Sequence, residues 1–219
     1  MVIKARSGER EDALSRKKIV DAAVAMLDGG SELTFRALAA QLRTGPGAIY
    51  WHVANKSELL AAAADAVIED TESPAGEPER ALRTLALEVF DAIDAHPWAG
   101  AQLARLPSQP TVLRIFERIG RQVQALGVPE TDQFTSASAI LNYVLGVAGQ
   151  HAAQRQSIEP GTRRSEVLEA ASTNLDPRVY SFTRDVAGQL REHDDRVQFL
   201  AGVDLILEGI AAKKAKSVS

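Results

Sequence analysis

Three consecutive residues, Tyr50, Trp51 and His52, each carry an aromatic ring with a hydrogen-bonding tip. Each step along a helix turns by ~100°, so three neighbours cannot all face a core and at least one ring points outward. Gly47 and Ala48 precede them and are small enough to let a helix approach a ligand closely. Small residues and polar-tipped rings together suit a major groove, where side chains reach base edges and phosphates.

Other chemistries find little support. The 219 residues include no cysteine, which excludes a disulfide scaffold, a thiolate metal site and a cysteine nucleophile. The four histidines (52, 96, 151 and 193) are scattered without carboxylates at ligand spacing, so neither a metal nor another cofactor is expected. There is no Walker loop, HExxH, nucleophile elbow or dinucleotide fingerprint. Gly45-Pro46-Gly47 lacks the lysine and the strand that a phosphate loop needs. An enzyme is not expected.

The elements that must position the ring cluster read as short helices. Ser15 is a good N-cap, and Ile19, Ala22, Ala23, Met26 and Leu27 follow at helical spacing until Asp28-Gly29-Gly30. A second helix starts from Thr34 with Leu38 and Leu42 inward. Residues 43–47 break the pattern, and a third helix carries Ala48 to Val53. Asn55-Lys56-Ser57 punctuates before a fourth helix over 57–70. The second and third form a helix-turn-helix, too short to stand without the first and fourth as a frame.

Residues 1–13 read as a mobile N-terminal arm, 14–70 as the helix-turn-helix domain, and 71–79 (TESPAGEPE) as a linker. A larger helical domain spans 79–212, with helices over 79–95, 98–106, 110–126, 131–156, 177–191 and 195–213, and a frayed tail. No alternating strand pattern occurs, and 36 alanines against 11 aromatics favour helix, so the fold class is all-α. No apolar run reaches the ~18 residues of a membrane span and the N-terminus lacks an apolar signal core, so a cytoplasmic protein with no membrane partner is expected. The net charge of −4 divides into +2 over residues 1–60 and −6 over the rest, a basic head on an acidic body.

In the larger domain Phe90, His96, Trp98, Gln102, Phe116, Asn142, Tyr143 and His151 combine apolar bulk with polar tips, as the lining of a small-molecule cavity does. Leu200, Val203, Ile206, Leu207 and Ile210 form a stripe on the last helix, suited to a monomer core or to dimerisation. Gly146, Gly149, Gly202 and Gly209 permit close helix approach.

The run LTFRALAAQLRTGPGAIYWHVANKSELL (33–60) resembles the DNA-binding region of the TetR family of transcriptional regulators, in its Tyr-Trp-His form the tetracycline-repressor branch. The matching pieces are Leu33-Thr34, Ala39 to Leu42, Ile49 to Val53 and Asn55 to Leu60. GVPETDQFTSASAILNYVLGVAGQ (127–150) and FLAGVDLILEGIAA (199–212) resemble that branch's ligand-binding and dimerisation domain. The resemblance implies a homodimeric repressor that binds palindromic double-stranded operator DNA through two heads and is released by a small-molecule effector. An activator or an effector-independent regulator of the same fold is the alternative. It implies that Thr34 caps the second helix and that Arg36 contacts a base. Gly47, Ala48, Tyr50, Trp51 and His52 belong to the recognition helix, with Tyr50 and His52 on phosphates and Trp51 packing one face while its edge reaches the groove. Lys56 neutralises a phosphate at a helix N-terminus. The stripe on the last helix becomes the dimer interface. One departure stands out: Arg43 replaces the usual turn glycine. Either Arg43 takes a left-handed backbone and also offers a phosphate contact, or the turn shifts towards Gly45.

Overall fold

A computed structural model describes residues 14–68, 76–103, 109–157, 165–167, 169, 176 and 178–217. The expected arm at 1–13 and linker residues 71–75 lie outside them. Side-chain oxygens of Ser15, Thr34 and Asn55 accept the backbone N–H of Lys18, Ala37 and Glu58 at 3.2, 3.1 and 2.9 Å. These caps start α1 (Arg16–Asp28), α2 (Phe35–Gln41) and α4 (Lys56–Val67). Prolines open α3 (Pro46–Tyr50), α5 (Pro78–Ala95) and α7 (Pro110–Ala125), where a missing N–H costs nothing. The other helices are α6 (Pro97–Leu103), α8 (Glu130–Ser157), α9 (Ser181–Asp185), α10 (Ala187–Glu192) and α11 (Asp195–Ser217). Among the described residues no strand occurs.

Two cores form. Ile19, Ala23, Leu38, Ile49, Val53 and Leu59 close the head formed by α1–α4. The second core gathers α5, α7, α8 and α11 around Leu82, Val89, Ile93, Ile119, Ile140 and Phe199. Each such Ile, Leu, Val or Phe side chain contributes about 1.5–3 kcal/mol by leaving water. Helix α8 lies at the centre of the body, packed against α5, α6, α7 and α11. A Cβ on Gly100 would stand 3.3 Å from the Gly149 Cα, so α6 rides close against α8.

The structure corrects four expectations. The third helix ends at Tyr50, because Val53 must turn back into the head core. The single helix expected over 177–191 is two, α9 and α10, divided at Val186. The tail is helical to Ser217: Lys213 pairs with Asp132, and Lys214 Nζ donates to the Leu126 carbonyl at 2.6 Å. Last, Val203 and Leu207 cannot serve a dimer interface, since they are 1% and 4% exposed beside Phe199 within one chain's core. Ile206 and Ile210 pack against the same core, and Leu200 is half-buried. No helix among the described residues is long and apolar enough to cross a membrane.

Candidate nucleic-acid interface

The turn between α2 and α3 is a Schellman motif. Thr44 N–H donates to the Ala39 carbonyl at 2.9 Å and Arg43 N–H to the Ala40 carbonyl at 3.2 Å. Its left-handed position is Arg43, at φ +52°, while Gly45 sits extended at φ −87° as the N-cap of α3. Of the two turns open to the sequence, the first is realised. A Cβ in that backbone costs about 1 kcal/mol. The corresponding residue after α1 is a glycine, Gly30 at φ +67°.

Five residues make α3, and only Ile49 is buried. Its other face is open. Tyr50 is 57% exposed, its ring tilted against Phe35 at a centroid distance of 4.6 Å. Trp51 is 90% exposed, so neither of its faces packs on the head, contrary to the expectation of a half-packed ring. Gly47 has open space where a Cβ would stand. Arg36, Arg43 and Lys56 are exposed, and Thr34, Ala48 and His52 are half-buried. Lys56 opens α4, where the helix dipole disfavours a cation, a position that gains from an incoming phosphate.

A brace behind α3 went unseen in the sequence. Arg16 Nη1 donates to the His52 carbonyl at 2.7 Å and to Glu58 Oε1 at 2.8 Å. The other Glu58 oxygen accepts the Ala54 N–H at 2.8 Å. The Arg16 hydrogen bond, then that of Ala54, holds the Glu58 carboxyl below its ordinary range. Asn55 and Glu58 show the spacing of a capping box, which is a readable signal; the arrival of Arg16 from 42 residues away is not.

The eight candidate cavity residues divide. Phe90, Tyr143 and His151 come together at neighbouring hollows of about 390 and 280 Å³ between α5, α8 and α11. There Phe90 stacks on His151 and on Phe199, and the Tyr143 hydroxyl donates to the Phe199 carbonyl. His151 faces Asp94 at 2.9 Å and Asp195 at 3.4 Å. Burial pushes the Asp94 carboxyl upward, but hydrogen bonds from Arg155 and His151 outweigh it and hold it below its ordinary range. Phe116 meets Phe134 edge-on, Asn142 is exposed on α8, and the Gln102 carbonyl accepts from Gln109. His96 and Trp98 are at the junction of body and head, both bonded to Asp28. A separate seam between α5, α7 and α8 is lined wholly by aliphatic side chains such as Leu85, Ile115 and Val144. Its residues follow ordinary core periodicity, so nothing in the sequence sets them apart.

Known proteins share this arrangement. Residues 19–63 match the family described as bacterial regulatory proteins, tetR family, and residues 72–214 match the tetracyclin repressor-like C-terminal domain. The solved structure of the transcriptional regulator SCO7222, a TetR from Streptomyces coelicolor, is 52% identical, with a TM-score of 0.81 over 92% of this chain and 100% of that one. An HTH-type transcriptional regulator of Saccharopolyspora erythraea is 31% identical over 91% of this chain and 85% of its own. The S. coelicolor TetR family protein ActR, solved in complex with actinorhodin, shares the fold at a TM-score of 0.74 and 23% identity, over 92% of this chain and 99% of that one. With an exposed α3 on a braced helix-turn-helix and both family regions in register, the chain belongs to the TetR family of transcriptional regulators.

Proposed function

We propose that the protein is a homodimeric, sequence-specific repressor that binds a palindromic operator and leaves it when a small molecule occupies the body. The observation that carries this reading is the state of α3: Ile49 is buried, while Tyr50 and Trp51 stand 57% and 90% exposed beside an open Gly47. Large rings left this exposed at the end of a short helix add little to the chain's own stability and suit a groove. Arg36 reads a base edge; Arg43, His52 and Lys56 meet phosphates. The arm, the head over 14–70 and the body over 79–212 are the working units.

The effector site is placed at the hollows beside Phe90, Tyr143 and His151, where an aromatic wall meets carboxylate and imidazole groups. That a relative in fold was solved with actinorhodin supports a body that admits a small molecule. Dimerisation is assigned to the outward stripe of α11, Val197, Ala201, Leu205 and Gly209, all exposed at four-residue spacing. The test is a gel shift with DNA from upstream of the protein's own gene. A salt-sensitive, sequence-specific complex lost in Tyr50→Ala is expected. Absence of such a complex, or undiminished binding by Tyr50→Ala, overturns the reading.

A further inference from the structure

Two helices of the head carry an acid in their last turn. Asp28 is the last residue of α1, and Asp65 lies in the last turn of α4; neither last turn holds a basic residue. An acid at a helix C-terminus opposes the helix dipole, so local stability does not explain either residue. Each is instead gripped twice by the body. Asp28 Oδ1 accepts from His96 Nδ1 and from Trp98 Nε1, both at 2.8 Å, at the corner where α5 gives way to α6. A carboxylate oxygen only accepts, so the ring presents its Nδ1–H. Asp65 Oδ1 accepts from the Thr111 hydroxyl at 2.6 Å and from Arg114 in the first turns of α7. Thr111 is buried, and the N-terminus of α7 itself favours the incoming carboxylate.

These four bonds run from different head helices to different corners of the body. One contact would leave the head free to rotate about it; two separated contacts fix its direction. We infer that Asp28 and Asp65 are positioning residues that set the head's orientation on the body, and through it the spacing between operator half-sites that the dimer accepts. The inference rests on the operator-binding reading above. Paired recognition helices must reach successive major grooves about 34 Å apart, and one added base pair turns one half-site by about 36° relative to the other. A rigidly held head pays attention to that change; a loosely held one follows it.

The test begins with a duplex site selected by the wild-type protein from a randomised pool. Versions of it with one base pair inserted or removed at the centre, and a single half-site, complete the set. Wild type is expected to lose at least about tenfold in affinity on either change of spacing. In Asp28→Ala/Asp65→Ala the penalty shrinks to about threefold or less while half-site affinity holds within about twofold, whereas Trp98→Phe, which removes one donor and leaves both contacts, keeps most of the penalty. A full spacing penalty in the double variant overturns the inference. So does an equal loss on the half-site, which makes the two aspartates mere supports of the head's own fold. A wild type that selects no site sinks the operator-binding reading itself, and this inference with it.

Discussion

Arg16 on α1 and Glu58 on α4 meet at 2.8 Å behind α3, and the same guanidinium donates to the His52 carbonyl at 2.7 Å. One cation thereby fixes where α3 ends and where α4 begins. Glu58 is held below its free value of 4.5, first by Arg16 and then by the Ala54 N–H. A depressed carboxyl contributes stability that is fully present above the unfolded value and is lost as pH falls through the folded one. The melting temperature of the head is therefore expected to be insensitive to this pair above about pH 5 and to fall below pH 4.5. Arg16→Gln lowers the plateau and removes part of the acid slope. Thermal melts of both proteins from pH 3 to 7, in steps of about half a unit, read the difference; parallel curves refute it.

Trp51 separates binding from stability. At 90% exposure its ring touches little of the head, so Trp51→Ala is expected to shift stability by less than about 0.5 kcal/mol. Its loss from a DNA interface costs about 1–3 kcal/mol, roughly five- to 150-fold in affinity. Tyr50→Ala also loses binding, together with a small loss of stability because its ring rests on Phe35. Fluorescence anisotropy on an operator duplex and a denaturant melt measure the two quantities separately.

Arg43 sets strain against charge. Glycine adopts φ +52° without the strain that arginine bears there, so Arg43→Gly is expected to stabilise the head by about 0.5–1 kcal/mol. The same change removes a cation from the proposed phosphate contacts. It therefore weakens operator binding and lowers the log-log salt slope by about 0.9 for that one phosphate. A variant that is more stable and binds DNA with an unchanged salt slope removes Arg43 from the interface.

Gly202 and Tyr143 occupy one space. A Cβ at 202 would overlap the Tyr143 hydroxyl, which donates to the Phe199 carbonyl at 3.1 Å. Gly202→Ala is expected to cost about 1–3 kcal/mol through overpacking between α8 and α11. In a Tyr143→Ala background the same substitution costs little, and the double-mutant cycle gives the coupling. Additive losses exclude this contact as the reason for the glycine.

What could be read ahead of the structure was mostly local. Ser15, Thr34 and Asn55 announce their helices because a capping side chain acts within three residues. The Tyr-Trp-His run announces an outward face because three neighbouring rings on a helix cannot all reach one core, although Trp51 and His52 lie in the turn just after α3. Arg43 was readable only as a choice of two turns, since the strain in one is settled by how α2 and α3 pack. His96 and Trp98 carry the same polar tips whether they line a cavity or grip Asp28, and only tertiary placement decides. The stripe on α11 misled for a related reason. That helix is apolar on more than one side, so periodicity marks a buried face without saying which partner buries it.

That ambiguity makes α11 the sharpest place to test assembly. Phe199, Val203 and Leu207 point into the chain's own core, while Val197 and Leu205 are 67% and 70% exposed on the opposite stripe. If that stripe meets a second copy, a buried charge there has no partner and costs several kcal/mol, enough to dissociate a dimer. Leu205→Asp is then expected to run as a folded monomer in light scattering, with helical content retained because its own core is untouched. Val203→Asp places the charge inside the core and is expected to lose helical content first. Operator affinity falls in Leu205→Asp towards that of one half-site, since the second head no longer binds at high effective concentration. A Leu205→Asp protein that stays dimeric moves the interface off this stripe, and a Val203→Asp protein that dissociates while remaining fully folded reverses the assignment of the two faces.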